Sequence, residues 1–174
     1  MKQSLVSEGR ILEELKKSIG DSLRINPDSI KAENSLVEDL GAESLDFLDI
    51  NYRVEQTFGI RTARQLILEH LEDMFGEGSA VDGDGRLTVK GARLLKIRWG
   101  DASAEIEAGM ELEQVTTLIT VRSMARGVMD ILDSLPEKCP DCASSTWQSE
   151  DGTHIRCGAC GKSALFANGD DLIK

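Results

Sequence analysis

The stretch Ser35–Leu48, Ser-Leu-Val-Glu-Asp-Leu-Gly-Ala-Glu-Ser-Leu-Asp-Phe-Leu, requires a loop that runs directly into an amphipathic helix. Gly41 and Ala42 are small, so the backbone there can turn and stay open to an approaching partner. Glu43, Ser44 and Asp46 carry groups suited to a helix N-terminus, where N–H groups are unpaired and the dipole is positive. From Ser44 onward Phe47, Ile50, Val54 and Phe58 recur at helical spacing, flanked by Leu45, Leu48 and Tyr52. Asp46, Asp49, Arg53 and Gln56 occupy another face at the same period. The hydroxyl of Ser44 is thus presented at a helix start beside an acidic patch that suits a basic partner.

Taken one residue at a time, Ser44 is an ordinary cap and the acids are an ordinary solvated face. The whole string says more. Glu-Asp-Leu-Gly-Ala-Glu-Ser-Leu-Asp, followed by an acidic amphipathic helix and Phe58-Gly59-Ile60, closely resembles the acyl carrier protein family. In that family the serine of an Asp-Ser-Leu motif carries 4′-phosphopantetheine. The resemblance therefore implies that Ser44 is the attachment serine, with Glu43 standing where aspartate is usual. It also implies acyl or aminoacyl groups held as thioesters on the arm's sulfur, in fatty acid, polyketide or related specialised biosynthesis. The implied partners are a phosphopantetheinyl transferase and acyl-loading and acyl-transfer enzymes with basic docking surfaces. Glu43, Asp46 and Asp49 would offer them charge, and Arg53 would tune which partner is accepted. No base is in evidence to activate Ser44, so it reads as a modification site on a non-enzymatic carrier.

Charge supports protein partners over nucleic acid. The chain of 174 residues carries a net charge of −11, which repels phosphate backbones and anionic membranes. With 4% aromatic residues, its core must come from Leu, Ile, Val and Met, a composition that leans helical. No apolar run approaches the roughly 20 residues of a membrane span, and the first ten residues lack a signal-peptide core, so a cytoplasmic protein without membrane insertion is expected.

Along the chain, Leu5–Leu23 reads as a first helix, with Gly20 a candidate break near its end. Ile25–Ile30 reads as a turn around Pro27. Thr62–Phe75 reads as an additional helix with His70 beside its apolar stripe, stopped by Gly76-Glu77-Gly78-Ser79. Asp82-Gly83-Asp84-Gly85 has the look of a calcium loop. Placing Gly85 at its sharp turn puts Ala80 and Gly91 at positions that require oxygen ligands, so a tight turn is the better reading. Thr88–Trp99 is expected to be a short helix with Val89, Ala92, Leu95 and Trp99 on its apolar side. Asp101–Gly109 is a polar connection. Thr120 is a candidate cap for a last helix carrying Val121, Met124, Val128, Ile131, Leu132 and Leu135 before Pro136. That helix resembles the final helix of acyl carrier proteins, which implies that residues 61–115 enlarge the family's short third-helix region.

All four cysteines fall near the C-terminus, as Cys139-Pro140-Asp141-Cys142 and, fourteen residues on, Cys157-Gly158-Ala159-Cys160. In a cytosolic chain this pattern points to metal rather than disulfides. Each Cys-x-x-Cys turn can aim two thiolates at one point, and Ser145–Gln148 with Thr153–Arg156 can pair as a hairpin around Glu150-Asp151-Gly152. Two such turns and a hairpin make a zinc ribbon, whose four thiolates leave no open position for catalysis. His154 need not be a ligand. Arg156, Lys162 and Lys174 are outnumbered by nearby acids, so the ribbon lacks a nucleic-acid footprint.

The expected protein is mainly α: an acyl-carrier-like helical bundle over residues 1–136, with an inserted helical segment at about 61–115, then a β-hairpin zinc ribbon over 137–174. The alternative class is an unmodified carrier-like adaptor that docks through its ribbon, and a third is a nucleic-acid-associated regulator.

Overall fold

A computed structural model describes residues 2–62, 71–72, 75–99 and 105–167. Among the described residues five helices have both ends defined: α1 (Glu8–Leu23), α2 (Ser44–Phe58), α3 (Val89–Trp99), α4 (Leu112–Thr117) and α5 (Val121–Leu132). One two-stranded antiparallel sheet, β1 (Trp147–Gln148) and β2 (Arg156–Cys157), pairs Trp147 with Cys157 and Gln148 with Arg156. The mainly helical class with a small hairpin is therefore as expected, although the paired strands are shorter than the sequence suggested.

Helix α1 begins where the Ser7 hydroxyl accepts the Arg10 N–H, three residues later than the apolar pattern implied. Ile11, Leu15 and Ile19 are fully buried, and α1 packs on both α2 and α5. Gly20 does not break the helix. It lies inside it, where a Cβ would sit 2.7 Å from Pro27 Cγ and 2.9 Å from the Ile25 carbonyl oxygen. The missing side chain lets the chain fold back onto its own helix through the 3-10 turn Pro27–Ser29.

Two clusters of buried side chains result. The first holds Ile11, Leu15, Ile50, Phe58, Ile131 and Leu135 together with Cys139, Trp147, Ile155 and Cys157 of the C-terminal module. That module is packed against the bundle. The Trp147 Nε1–H donates to the Pro136 carbonyl at 2.9 Å, and the Ala167 N–H to the Ser134 hydroxyl at 2.8 Å. His154 bridges the two parts: its Nε2 lies 3.2 Å from the Gln56 carbonyl oxygen and its Nδ1 2.9 Å from the Asp151 carboxylate. A Cβ on Gly59 would come within 3.2 Å of the same ring.

The second cluster, Leu71, Ala80, Leu87, Ala92, Leu95, Ile106 and Val115, belongs to the segment before α5. Helix α3 starts at Val89, where the Thr88 hydroxyl accepts the Gly91 N–H at 2.9 Å. Val89 is 76% exposed, so it lies outside the buried part of the apolar side, which Ala92 and Leu95 form; the side chain of Trp99 lies outside the described residues. Helix α4 was not foreseen. The Asp82–Gly85 turn forms as expected, with Asp82 Oδ1 accepting the Asp84 and Arg86 N–H groups at 3.0 and 2.9 Å. Of the expected helix Thr62–Phe75, Leu71, Glu72 and Phe75 are helical, while 63–70, including His70, and 73–74 lie outside the described residues.

Glu72 organises the turn that follows. Its carboxylate accepts N–H groups from Gly78, Ala80 and Val81 at 3.2, 3.1 and 2.9 Å. The Val81 N–H, then that of Gly78, hold the carboxyl below its ordinary value of 4.5 against the opposing effect of desolvation. A depressed carboxyl contributes stability above its unfolded pKa and loses it as pH falls through the folded value. Acidification below about pH 4.5 is therefore expected to loosen Gly76–Val81. Amide exchange at Ala80 and Val81 should rise there in the native chain, and should be fast and insensitive to this range in Glu72→Gln.

Candidate functional site

The loop before α2 is held from both sides. Ile30 and Leu36 are buried in the bundle core, and Val37 and Leu40 pack against it. The Leu36 N–H donates to the Ile119 carbonyl at 2.9 Å, the Val121 N–H to Asn34 at 3.1 Å and the Arg122 N–H to Ala32 at 2.8 Å. Ser35 thus bridges Thr120, the cap of α5, which sequence alone did not reveal because a two-residue pairing between distant loops leaves no periodicity. The Ala42 N–H then returns to the Leu36 carbonyl at 2.8 Å, closing the loop just ahead of Ser44. Gly41, at φ +70°, has nothing within 4 Å of where a Cβ would stand, so this turn is open to solvent.

Ser44 is the first residue of α2, with Glu43 in the cap position. It is exposed, and its hydroxyl makes no hydrogen bond among the described residues. An unpaired, outward hydroxyl at the positive end of a helix can be esterified without dismantling any native contact. Of the four residues expected to surround it in docking, Glu43 and Asp46 are tied to the helix start: Asp46 Oδ2 accepts the Glu43 N–H at 2.8 Å. Asp49 and Arg53 form an ion pair at 2.8 Å, and Arg53 reaches Asp21 at 3.5 Å. The Arg53 guanidinium holds the Asp49 carboxyl below the usual range, and Asp49 in turn raises Arg53. The acidic face is thus strongest next to Ser44 and locally neutralised one turn on. Leu45, Leu48 and Tyr52 are 78%, 47% and 61% exposed, so this face is apolar as well as acidic.

The second candidate centre is the cysteine tetrad. Sγ atoms of Cys139, Cys142, Cys157 and Cys160 all lie within 4.8 Å of one another. Cys139 and Cys160 sulfurs are 3.7 Å apart, Cys142 and Cys157 sulfurs 3.6 Å. Four thiolates at ~2.3 Å from a tetrahedral ion would be separated by ~3.8 Å, so the donor set fits such an ion. Both turns are built alike. The Cys139 N–H donates to Ser144 and the Ala143 N–H back to Cys139, while Cys157 and Gly161 repeat this pattern with Lys162 and Cys157, all at 2.8 Å. Ala143 (φ +57°) and Gly161 (φ +73°) occupy equivalent left-handed positions. Gly158 serves another purpose: a Cβ there would strike Thr146 Cγ2 at 2.9 Å.

The N–H of Cys160 leads the groups that draw Cys157 down to about 6, over the opposing desolvation. At Cys142 the Ser144 N–H acts to lower the pKa, but the Cys157 sulfur, burial and the other two sulfurs push it up to about 12. Sulfurs this close do not all ionise without a cation among them, which is what a divalent ion would supply. No helix among the described residues is long and apolar enough to cross a membrane.

Comparison with known proteins adds three points. The family described as "Phosphopantetheine attachment site" matches residues 13–72, which include Ser44. An acyl carrier protein of Wolinella succinogenes is 38% identical over 50 residues, 29% of this chain and 66% of that protein. Acyl carrier protein AcpXL of Mesorhizobium japonicum is 36% identical over 66 residues, covering 38% of this chain and 69% of the relative. One from Nitratidesulfovibrio vulgaris is 44% identical over 48 residues, 28% of this chain and 63% of its own. The chain spans about two thirds of the length of these curated relatives. No solved structure matches it.

Proposed function

This chain belongs to the acyl carrier protein family, and from that premise we propose that Ser44 is its phosphopantetheine attachment site. A phosphopantetheinyl transferase would join the arm through a phosphodiester to the Ser44 oxygen. Acyl or aminoacyl groups would then ride as thioesters on the terminal sulfur. The observation that carries this reading is an exposed, unpaired hydroxyl at the first residue of α2, inside the matched region. When bound, the arm supplies the thiol, and the chain's own residues position it. Leu36 and the Ile119–Thr120 strap fix the loop, the Glu43–Asp46 cap fixes the helix start, and the exposed α2 face receives enzymes. Family membership favours a carrier over a catalyst. The cargo-loading and cargo-accepting enzymes would present basic surfaces to Glu43, Asp46 and Asp49, with Arg53 limiting which of them fit.

We further propose that the cysteine tetrad binds zinc in a structural role. Four sulfurs complete its coordination, and the fit of their spacing supports the reading. On this view residues 1–136, with the enlargement at about 61–115, form the carrier domain, and 137–174 form a ribbon packed on it. A cytoplasmic location, where thiols stay reduced, suits both centres. The adaptor reading, with Ser44 left bare, is separated by one experiment. Incubated with a broad-specificity transferase and a fluorescently tagged coenzyme A, the native chain should take up about one label per molecule, and Ser44→Ala none. Absence of labelling with several transferases would favour the adaptor.

A further inference from the structure

Helix α3 is chemically unlike the rest of the molecule. In a chain of net charge −11 it carries Lys90, Arg93, Lys96 and Arg98 and no acidic residue. Val89, Ala92, Arg93 and Lys96 line an open groove, closed on its other side by Ile106 and Glu107. The floor is apolar, since Ala92 and Ile106 are buried, and Val89 on the rim is 76% exposed. Arg93 and Lys96 are exposed. A cationic rim over an apolar floor fits an acidic helix that also shows apolar side chains.

Helix α2 is such a helix. Its exposed Leu45, Leu48 and Tyr52 stand at i, i+3 and i+7, with Asp49 at i+4. Val89, Ala92 and Lys96 repeat that spacing, with Arg93 at i+4. Both stripes therefore span about 10 Å at ~1.5 Å per residue. Glu43 and Asp46 extend the acidic side of α2 past Ser44. The exceptions match too: Arg53 is the only basic residue of α2, and among the described residues Glu107 is the only acid lining the groove. We infer that the α3 groove takes the acidic, apolar face of α2 from a second copy of this chain.

If each copy offers α2 to the other's α3, the contact is reciprocal and closes as a two-fold dimer. Net charge repels the copies at long range, so association rests on this matched face and should be weak and reversible. It would cover the surroundings of Ser44, and a docked carrier would be closed to other partners until it dissociates. Self-association is a property of the unmodified chain, so it stands or falls separately from the modification of Ser44.

Sedimentation velocity of the full-length apo protein over a concentration series tests it. The expected result is a concentration-dependent rise in sedimentation coefficient. That rise should be lost in Arg93→Glu/Lys96→Glu, where groove and α2 are both acidic, and in Leu48→Lys/Tyr52→Lys, where two new cations on the contact stripe of α2 meet the cationic rim. All four positions are exposed or line an open surface, and circular dichroism would confirm that the variants keep their helices. Mixing the two variants should restore association, because each then meets an oppositely charged face. A native chain that stays monomeric throughout would overturn the inference. So would association that survives either double variant, or a mixture of the two that remains monomeric.

Discussion

On the proposed zinc reading, removing metal from the cysteine tetrad, or replacing Cys157 with alanine, is expected to weaken the helical bundle as well as unfold the C-terminal module. Cys139 and Cys157 are 3% and 0% exposed and belong to the buried cluster that contains Phe58, Ile131 and Leu135. A structural zinc contributes on the order of 10 kcal/mol to a small module, which exceeds what a two-residue hairpin and a few buried side chains provide. Without the ion the two turns separate, Trp147 leaves its bond to the Pro136 carbonyl, and Ile155 and His154 withdraw from the end of α2. The exposed bundle surface then costs further stability, because burial of each large apolar side chain is worth ~1.5–3 kcal/mol. Titration with a strong chelator should shift Trp147 fluorescence and lower the melting temperature read from helical dichroism in one linked step. A bundle melting unchanged after complete metal removal would show that the ribbon is a passenger.

Gly91→Ala is expected to melt the segment around α3 while sparing α1, α2 and α5. Two effects oppose each other. Alanine gains ~1 kcal/mol over glycine in a helix interior. Against it, the new Cβ would lie 2.3 Å from the Ala80 carbonyl oxygen and 3.0 Å from its carbonyl carbon and Cα. Those atoms are fixed, since Ala80 O accepts the Thr88 N–H at 2.9 Å and the Thr88 hydroxyl bonds the Ser79 carbonyl at 2.6 Å. Overpacking against pinned backbone costs ~3 kcal/mol, so the clash wins. Amide exchange should show Leu87, Ala92 and Leu95 losing protection while Ile11, Ile50 and Val128 keep theirs. An overall stabilisation would mean that the Ala80 backbone yields easily.

The elements legible in the sequence were those with a repeated signal. Phe47, Ile50, Val54 and Phe58 announce α2 and are all buried, and Val121, Val128 and Ile131 announce α5 behind the Thr120 cap. The cysteine spacing foretold that four sulfurs would meet. Helix α4 escaped because six residues with one buried side chain, Val115, are too short to establish a period. Val89 was misplaced because the first residue of a helix precedes the turn that packs. The role expected of Gly20 was reversed, since a glycine in a string looks the same whether it breaks a helix or admits Pro27 against it. Around the site, the exposure of Ser44 followed from its loop, whereas the Ile119 strap and the docking of His154 on Gln56 join residues far apart in sequence. Such pairings are decided by the assembled fold.

The central claim is that the Ser44 oxygen tethers a swinging thiol arm. Intact-mass spectrometry of the chain purified from its native cells, followed by fragmentation to place any added group, addresses it most directly. The account predicts a mass gain of one phosphopantetheine, with or without cargo, located on Ser44. A chain carrying no such group, or carrying it on another residue, would contradict it.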